Sequence, residues 1–170
     1  DEAQALRQLD EALAATKRNP STVNEQRSIA ARTIILAHGD DTAAATTAMA
    51  RLRAMPAPPS YARTQQIMIA LAEAAYALRH QKDAAAALRV LQPFIEPAPV
   101  LVLPQNGIWL LAAEASMASG DPAQALAHCR LARQNAEATA IAVESSIWVG
   151  RALYCEADAL DAQLRQARAA

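Results

Sequence analysis

The sequence predicts an all-α protein assembled from antiparallel helix pairs, and three observations carry that expectation. Hydrophobic residues make up 53% of the 170, yet the aromatics are one Phe, two Trp and three Tyr, so alanine supplies the largest apolar share. Alanine is the strongest helix former and lets helix backbones approach closely. Only four glycines occur, and β-branched residues are sparse. Short breakers built around aspartate recur at Gly39-Asp40, Lys82-Asp83 and Gly120-Asp121.

The elements follow in order. Leu6, Leu9 and Leu13, with alanines between them, recur at helical spacing and predict a helix from Ala3 to Arg18. Asn19-Pro20 stops it, because proline disfavours helix in the residue before it. A second helix is predicted from Thr22 to His38, with Ser21 as its cap and Ile29, Ile34, Ile35 and Leu36 on its apolar face. Gly39 is expected as a left-handed C-cap, and Asp40 or Asp41 caps a third helix running to Ala54. Met55-Pro56-Ala57-Pro58-Pro59 is a hard stop. Ser60 is expected to cap a long helix over Tyr61–His80, and Asp83 the next, which ends near Pro93 or Glu96. Residues 97–104, apolar between prolines, read as an extended linker. A helix over Gln105–Ser119 leads to Gly120-Asp121-Pro122, where glycine ends one helix, aspartate caps another and proline opens it. That helix is predicted to weaken near Asn135, before a last helical stretch over Thr139–Ala167 with a bend near Asp158.

The breakers are 43 and 38 residues apart. Five residues after each lies a small-residue pair: Ala44-Ala45, Ala87-Leu88 and Ala125-Leu126, with Ala5-Leu6 starting the series. Leu71 and Trp109 each precede a breaker by 11 residues, and Trp148 follows Trp109 by 39. This arrangement resembles the tetratricopeptide repeat. The fullest match is Ile108–Ala132, with Trp109, the small residue Ala113, the turn Gly120-Asp121, then Ala125-Leu126 and Ala132. Leu71, Ala75, Ala87-Leu88 and Leu91 match in the preceding unit, whereas Arg32 stands where the earlier unit should carry a small residue. The intervals of 38 to 43 residues exceed the roughly 34 of that repeat. The resemblance implies an α-solenoid of helix pairs, with HEAT-like pairing as the structural alternative. The expected division is a half repeat at 1–20, repeats at 21–59, 60–103 and 104–138, and a terminal helix or helices at 139–170. The chain starts in mid-pair and without Met, so it is expected to be one solenoid cut from a longer protein.

The net charge is −1, and no basic run suggests a nucleic-acid footprint. No apolar stretch approaches the length of a membrane span. There is no His-Glu-x-x-His, no Cys-x-x-Cys and no glycine-rich phosphate loop, so no metal, no cofactor and no catalytic residue is expected. His38, His80 and His128 are widely separated, and Glu73, Glu114, Glu137, Glu144 and Glu156 read as solvated or ion-paired rather than catalytic. Trp109 and Trp148 read as core residues. Cys129 and Cys155 are expected as reduced thiols in a helical core, the alternative being one pair between neighbouring helices.

A solenoid presents a concave surface lined by the first helices of its pairs. The residues placed there are Gln26, Thr33, Tyr76, Arg79, His80, Glu114, Met117 and Glu156, a mixture suited to a peptide or protein segment. The Lys and Asn carboxylate clamp of chaperone-binding members of the family has no counterpart in these helices. The expected function is therefore a non-catalytic protein–protein interaction scaffold, with no nucleic acid and no membrane insertion. The alternative is a small-molecule sensor domain of a larger bacterial regulator, the Ala/Arg richness pointing to a high-GC genome. The sequence assigns no compartment, with the cytoplasm favoured slightly over the periplasm.

Overall fold

A computed structural model describes residues 2–18, 22–96, 105–138 and 143–169. Among the described residues all regular structure is helical and there is no strand. Eight α-helices follow one another: α1 (Glu2–Arg18), α2 (Thr22–His38), α3 (Thr42–Ala54), α4 (Ala62–Tyr76), α5 (Ala84–Ile95), α6 (Gln105–Ala118), α7 (Pro122–Ala138) and α8 (Val143–Ala169). The linker read at 97–104 lies outside the described residues. The chain divides into two compact units, Asp1–Lys82 and Asp83–Ala170. This division falls inside the segment 60–103 that the sequence pattern treats as one repeat.

In the first unit, α2 packs against α1, α3 and α4. Its core gathers Ile29 and Ala30 of α2 with Leu52 of α3, and Leu13, Met55, Met68 and Ile69 close over them. In the second unit, α6 packs on α5 and α7, and α7 on α8. One cluster there joins Trp109, Ala132 and Ala152; another joins Ala113, Ala125, Leu126, Cys129 and Ala159. The repeated small positions are buried: Ala45, Ala87, Ala113, Ala125 and Ala152 are at 0% exposure and Ala75 at 1%. An alanine at each of them leaves room for a neighbouring backbone, and a larger side chain would force the helices apart.

The aspartate caps account for three helix starts. Asp41 accepts from the Ala44 N–H at 2.9 Å, Asp83 from Ala86 at 2.7 Å, and Asp121 from Gln124 at 2.9 Å. Each such cap stabilises its helix by about 1 kcal/mol. The three turns before them differ. Gly120 has φ +78°, and the bonds from Gly120 N–H to Met117 and from Asp121 N–H to Ser116 form a Schellman turn. Gly39 does not take the left-handed conformation expected of it; its N–H caps α2 by donating to the Ile35 and Leu36 carbonyls. At the third turn Lys82, not a glycine, is left-handed, with φ 55°.

Several helix boundaries differ from expectation. Ser60 does not cap α4: it sits inside a 3₁₀ turn, Pro59–Tyr61, that feeds the helix directly with no side-chain cap. The far end of that helix widens into a π turn over Ala77–Gln81. The weak point near Asn135 does not interrupt α7, and the Asn135 side chain donates to Asn106 on α6 at 2.8 Å. α8 runs on through Asp158 as one helix of 27 residues.

Carbonyls at helix ends need partners once buried. Gln65 on α4 donates to the Leu52 and Met55 carbonyls at the end of α3, at 3.2 and 2.8 Å. Gln105 on α6 donates to the Phe94 carbonyl at the end of α5, and the indole of Trp109 to Ile95 at 2.7 Å. Gln26 on α2 donates to the Pro56 carbonyl. These three buried glutamines recur at intervals of 39 and 40 residues.

Candidate functional site

The eight residues placed on a binding face fall in different units and different environments. Gln26 and Thr33 are buried, at 1% and 0% exposure, so neither can meet a docked segment. Gln26 is occupied with Pro56, and the Thr33 hydroxyl donates to the Ile29 carbonyl one turn back at 2.7 Å. Both sit on the face of α2 that packs inward, which corrects the expectation that they line a groove. In the second unit, Glu114 is exposed on α6, while Met117 packs against the Ala113–Cys129 cluster. Glu156 accepts from Arg133 at 2.6 Å, and Glu137 shares the same guanidinium at 3.2 Å.

Tyr76, Arg79 and His80 are brought together at the end of α4. Tyr76 and His80 are four apart, and their rings lie 4.7 Å centroid to centroid at 34°. The turn between α2 and α3 and the start of α3 deliver the rest of the cluster. Asp40 accepts from Arg79 Nη2 at 2.6 Å, and the Thr42 hydroxyl lies 2.9 Å from His80 Nδ1. Thr46, one turn after Thr42, donates its hydroxyl to the Thr42 carbonyl at 2.8 Å, and its oxygen lies 3.4 Å from the Tyr76 phenol. His80 Nε2 is buried and has no hydrogen-bond partner. The π turn that carries Arg79 and His80 ends on the left-handed Lys82. Such π segments are frequent at functional sites.

The cluster offers a guanidinium, an imidazole, a phenol and two hydroxyls around a tilted aromatic pair. Its ion pair is loosely held: Arg79 is 50% exposed and Asp40 89%. A pair so exposed contributes little to stability and exchanges readily with other carboxylates. Sequence reasoning missed Asp40, Thr42 and Thr46. The i, i+4 spacing of the two threonines, just after a capping aspartate, was the signal that could have placed them on one face.

Two further features were open in the sequence. Cys129 of α7 and Cys155 of α8 form a disulfide, with Cα atoms 5.6 Å apart, so the pair between neighbouring helices replaces the expectation of two reduced thiols. Small residues facing each other across α7 and α8 bring the sulfurs within reach, which the count of two cysteines alone could not reveal. His128, beside Cys129, is buried with neither ring nitrogen partnered. Burial pushes its pKa below the ordinary value of 6.5, against an upward pull from Asp121. Among the described residues, no cluster of His, Cys, Asp and Glu is arranged to hold a metal ion, and no helix is long and apolar enough to cross a membrane. Comparison with known protein families, curated proteins and solved structures finds no match to this chain.

Proposed function

We propose that this chain is a non-catalytic interaction scaffold of tetratricopeptide-like helix pairs, and that its first unit holds an extended or helical partner segment over Tyr76, Arg79 and His80. The observation that carries the reading is the convergence of these three side chains with Asp40, Thr42 and Thr46 on one accessible surface. Aromatic and arginine side chains dominate the energetics of protein recognition. Arg79 keeps most of its donors available, since its bond to Asp40 uses one Nη2 hydrogen. A partner carboxylate or backbone carbonyl can take up those donors while an apolar side chain lies on the Tyr76–His80 rings. The repeat reading is supported by the buried alanines and by the 39- and 40-residue recurrence of Gln26, Gln65 and Gln105.

Selection of peptides from a random display library on the purified chain tests the site. Selected peptides are expected to lose affinity by at least about tenfold, or about 1.4 kcal/mol, when Tyr76→Ala and Arg79→Ala are combined. Peptides that bind the double variant as well as the parent would place recognition elsewhere and overturn the assignment.

A further inference from the structure

The large hydrophobic side chains exposed among the described residues all lie on α8: Ile147, Leu153, Tyr154, Leu160 and Leu164, at 44–79% exposure. Their placement is ordered. Leu153, Ala157, Leu160 and Leu164 follow one another at intervals of four, three and four, which on an α-helix is one continuous stripe of the kind that seats a second helix. The opposite face of α8 is committed to its own unit: Ala152 and Ala159 are buried, and Cys155 is bonded to α7. One edge of the stripe is also taken, by Glu156 on Arg133 and by Gln163, which donates to the Pro122 carbonyl at 3.2 Å. The stripe is thus a fixed, solvent-facing surface on a helix held covalently in place.

The free edge tells what covers it. Asp158, Asp161, Arg165 and Arg168 run along it at intervals of three, four and three, all exposed. The order is two acids followed by two bases. Reversing that order, as a two-fold axis does, yields two bases followed by two acids, the complement of itself. We propose that α8 pairs antiparallel with α8 of a second copy of this chain, about an axis near residues 162–163. In that register Leu160 of each copy meets Leu164 of the other, Ala157 meets Ala167, and the acids of one copy face the bases of the other. Within one copy Asp161 and Arg165 already pair at 2.8 Å; the second copy extends this into a charged row beside the apolar seam. The contact is isologous, so it closes at two copies. It involves a surface of the second unit only and goes beyond the partner site of the first.

Sedimentation equilibrium on the whole chain, from roughly micromolar to roughly hundred-micromolar concentration, is expected to show a dimer. The combination of Leu160→Glu and Leu164→Glu is expected to leave a monomer of unchanged helical circular dichroism. The decisive arms are charge reversals. Asp158→Arg with Asp161→Arg gives an all-basic edge, and Arg165→Asp with Arg168→Asp an all-acidic one. Each alone is expected to be monomeric, and an equimolar mixture to recover the dimer mass. A parent chain that stays monomeric throughout overturns the proposal and leaves the stripe to a different protein or a lipid surface. So does a dimer that both reversals leave intact, which would place the contact elsewhere.

Discussion

The two units solve one problem alike and another differently. Both finish a helix by having a glutamine from the following helix donate to its last carbonyls, Gln65 onto α3 and Gln105 onto α5. Beyond that they diverge. The second unit adds an indole, Trp109, at 1% exposure with its N–H on Ile95, and a disulfide between α7 and α8. Surface ion pairs occur in both, Arg32–Asp10, Arg53–Glu73 and Arg79–Asp40 in the first and Arg133–Glu156 and Arg165–Asp161 in the second, but the first holds no cysteine to back them with a covalent bond. Pairs of that kind are worth roughly 0–1 kcal/mol each and rearrange at little cost. One unit is fastened by a covalent bond and the other is not, and the residues proposed for recognition, Tyr76, Arg79 and His80, lie on the unfastened one.

The largest expected effect breaks the fastening. Closing a loop over a separation of 26 residues lowers the entropy of the unfolded chain enough to contribute about 3.5 kcal/mol. Replacing both Cys129 and Cys155 by Ala is expected to remove stability of that order from the second unit and almost none from the first. Hydrogen exchange resolved by residue reads the two units separately. Amides of α7 and α8 should lose protection while those of α2 and α4 keep theirs. A uniform loss across the chain would mean that the units unfold together and that the contrast drawn above has no energetic content.

Much of this was legible beforehand, and the gaps have physical causes. Helix existence was readable because breakers are chemically distinct: α2 and α3 end where the glycine and proline signals put them. The aspartate caps were readable for the same reason, since a short carboxylate after a turn has few other uses. Facing was harder. Gln26 and Thr33 look like surface residues because they are polar, but each satisfies a backbone carbonyl inside the unit, and composition does not distinguish a polar residue facing water from one facing a carbonyl. The glutamine series was present in the sequence all along, but a polar residue every 39 or 40 positions does not itself reveal that it faces a carbonyl. The π turn was invisible, because no residue pattern demands it. The disulfide depended on α7 and α8 being neighbours, a tertiary fact.

Acid sharpens the comparison further. His128 is buried on the face of α7 in the second unit, and its folded pKa lies below 6.5 because burial disfavours the cation. The unfolded chain therefore takes up the proton first. Stability of the second unit is expected to be full above about pH 6.5, to fall as pH drops through that value toward the folded pKa, and to level off below it. His128→Leu removes both the titration and two unpartnered nitrogens, so it should abolish this slope and raise stability at neutral pH by about 1 kcal/mol or more. An unchanged slope in the variant would assign it to other groups.

The smallest expected effect concerns the turns, and it has opposite signs in the two units. Lys82 closes the first unit at φ 55° and ψ 30°, a conformation that crowds any side chain against the following carbonyl. Gly120 sits at φ +78° in the second unit, and a Cβ built there would meet nothing within 4 Å. The cost of a side chain at either position is therefore set by its own backbone, and at Gly120 by no clash with the rest of the unit, and is on the order of 1 kcal/mol. Lys82→Gly should relieve most of that cost, less the extra freedom glycine gives the unfolded chain, for a net gain of about 0.5 kcal/mol. Gly120→Ala should lose about 1 kcal/mol, because alanine must take up the strain that Lys82 already bears. Denaturant midpoints at constant slope measure both. A loss in Lys82→Gly would mean that the lysine side chain makes a stabilising contact larger than its backbone strain, and that the left-handed turn in the first unit is held from outside rather than tolerated.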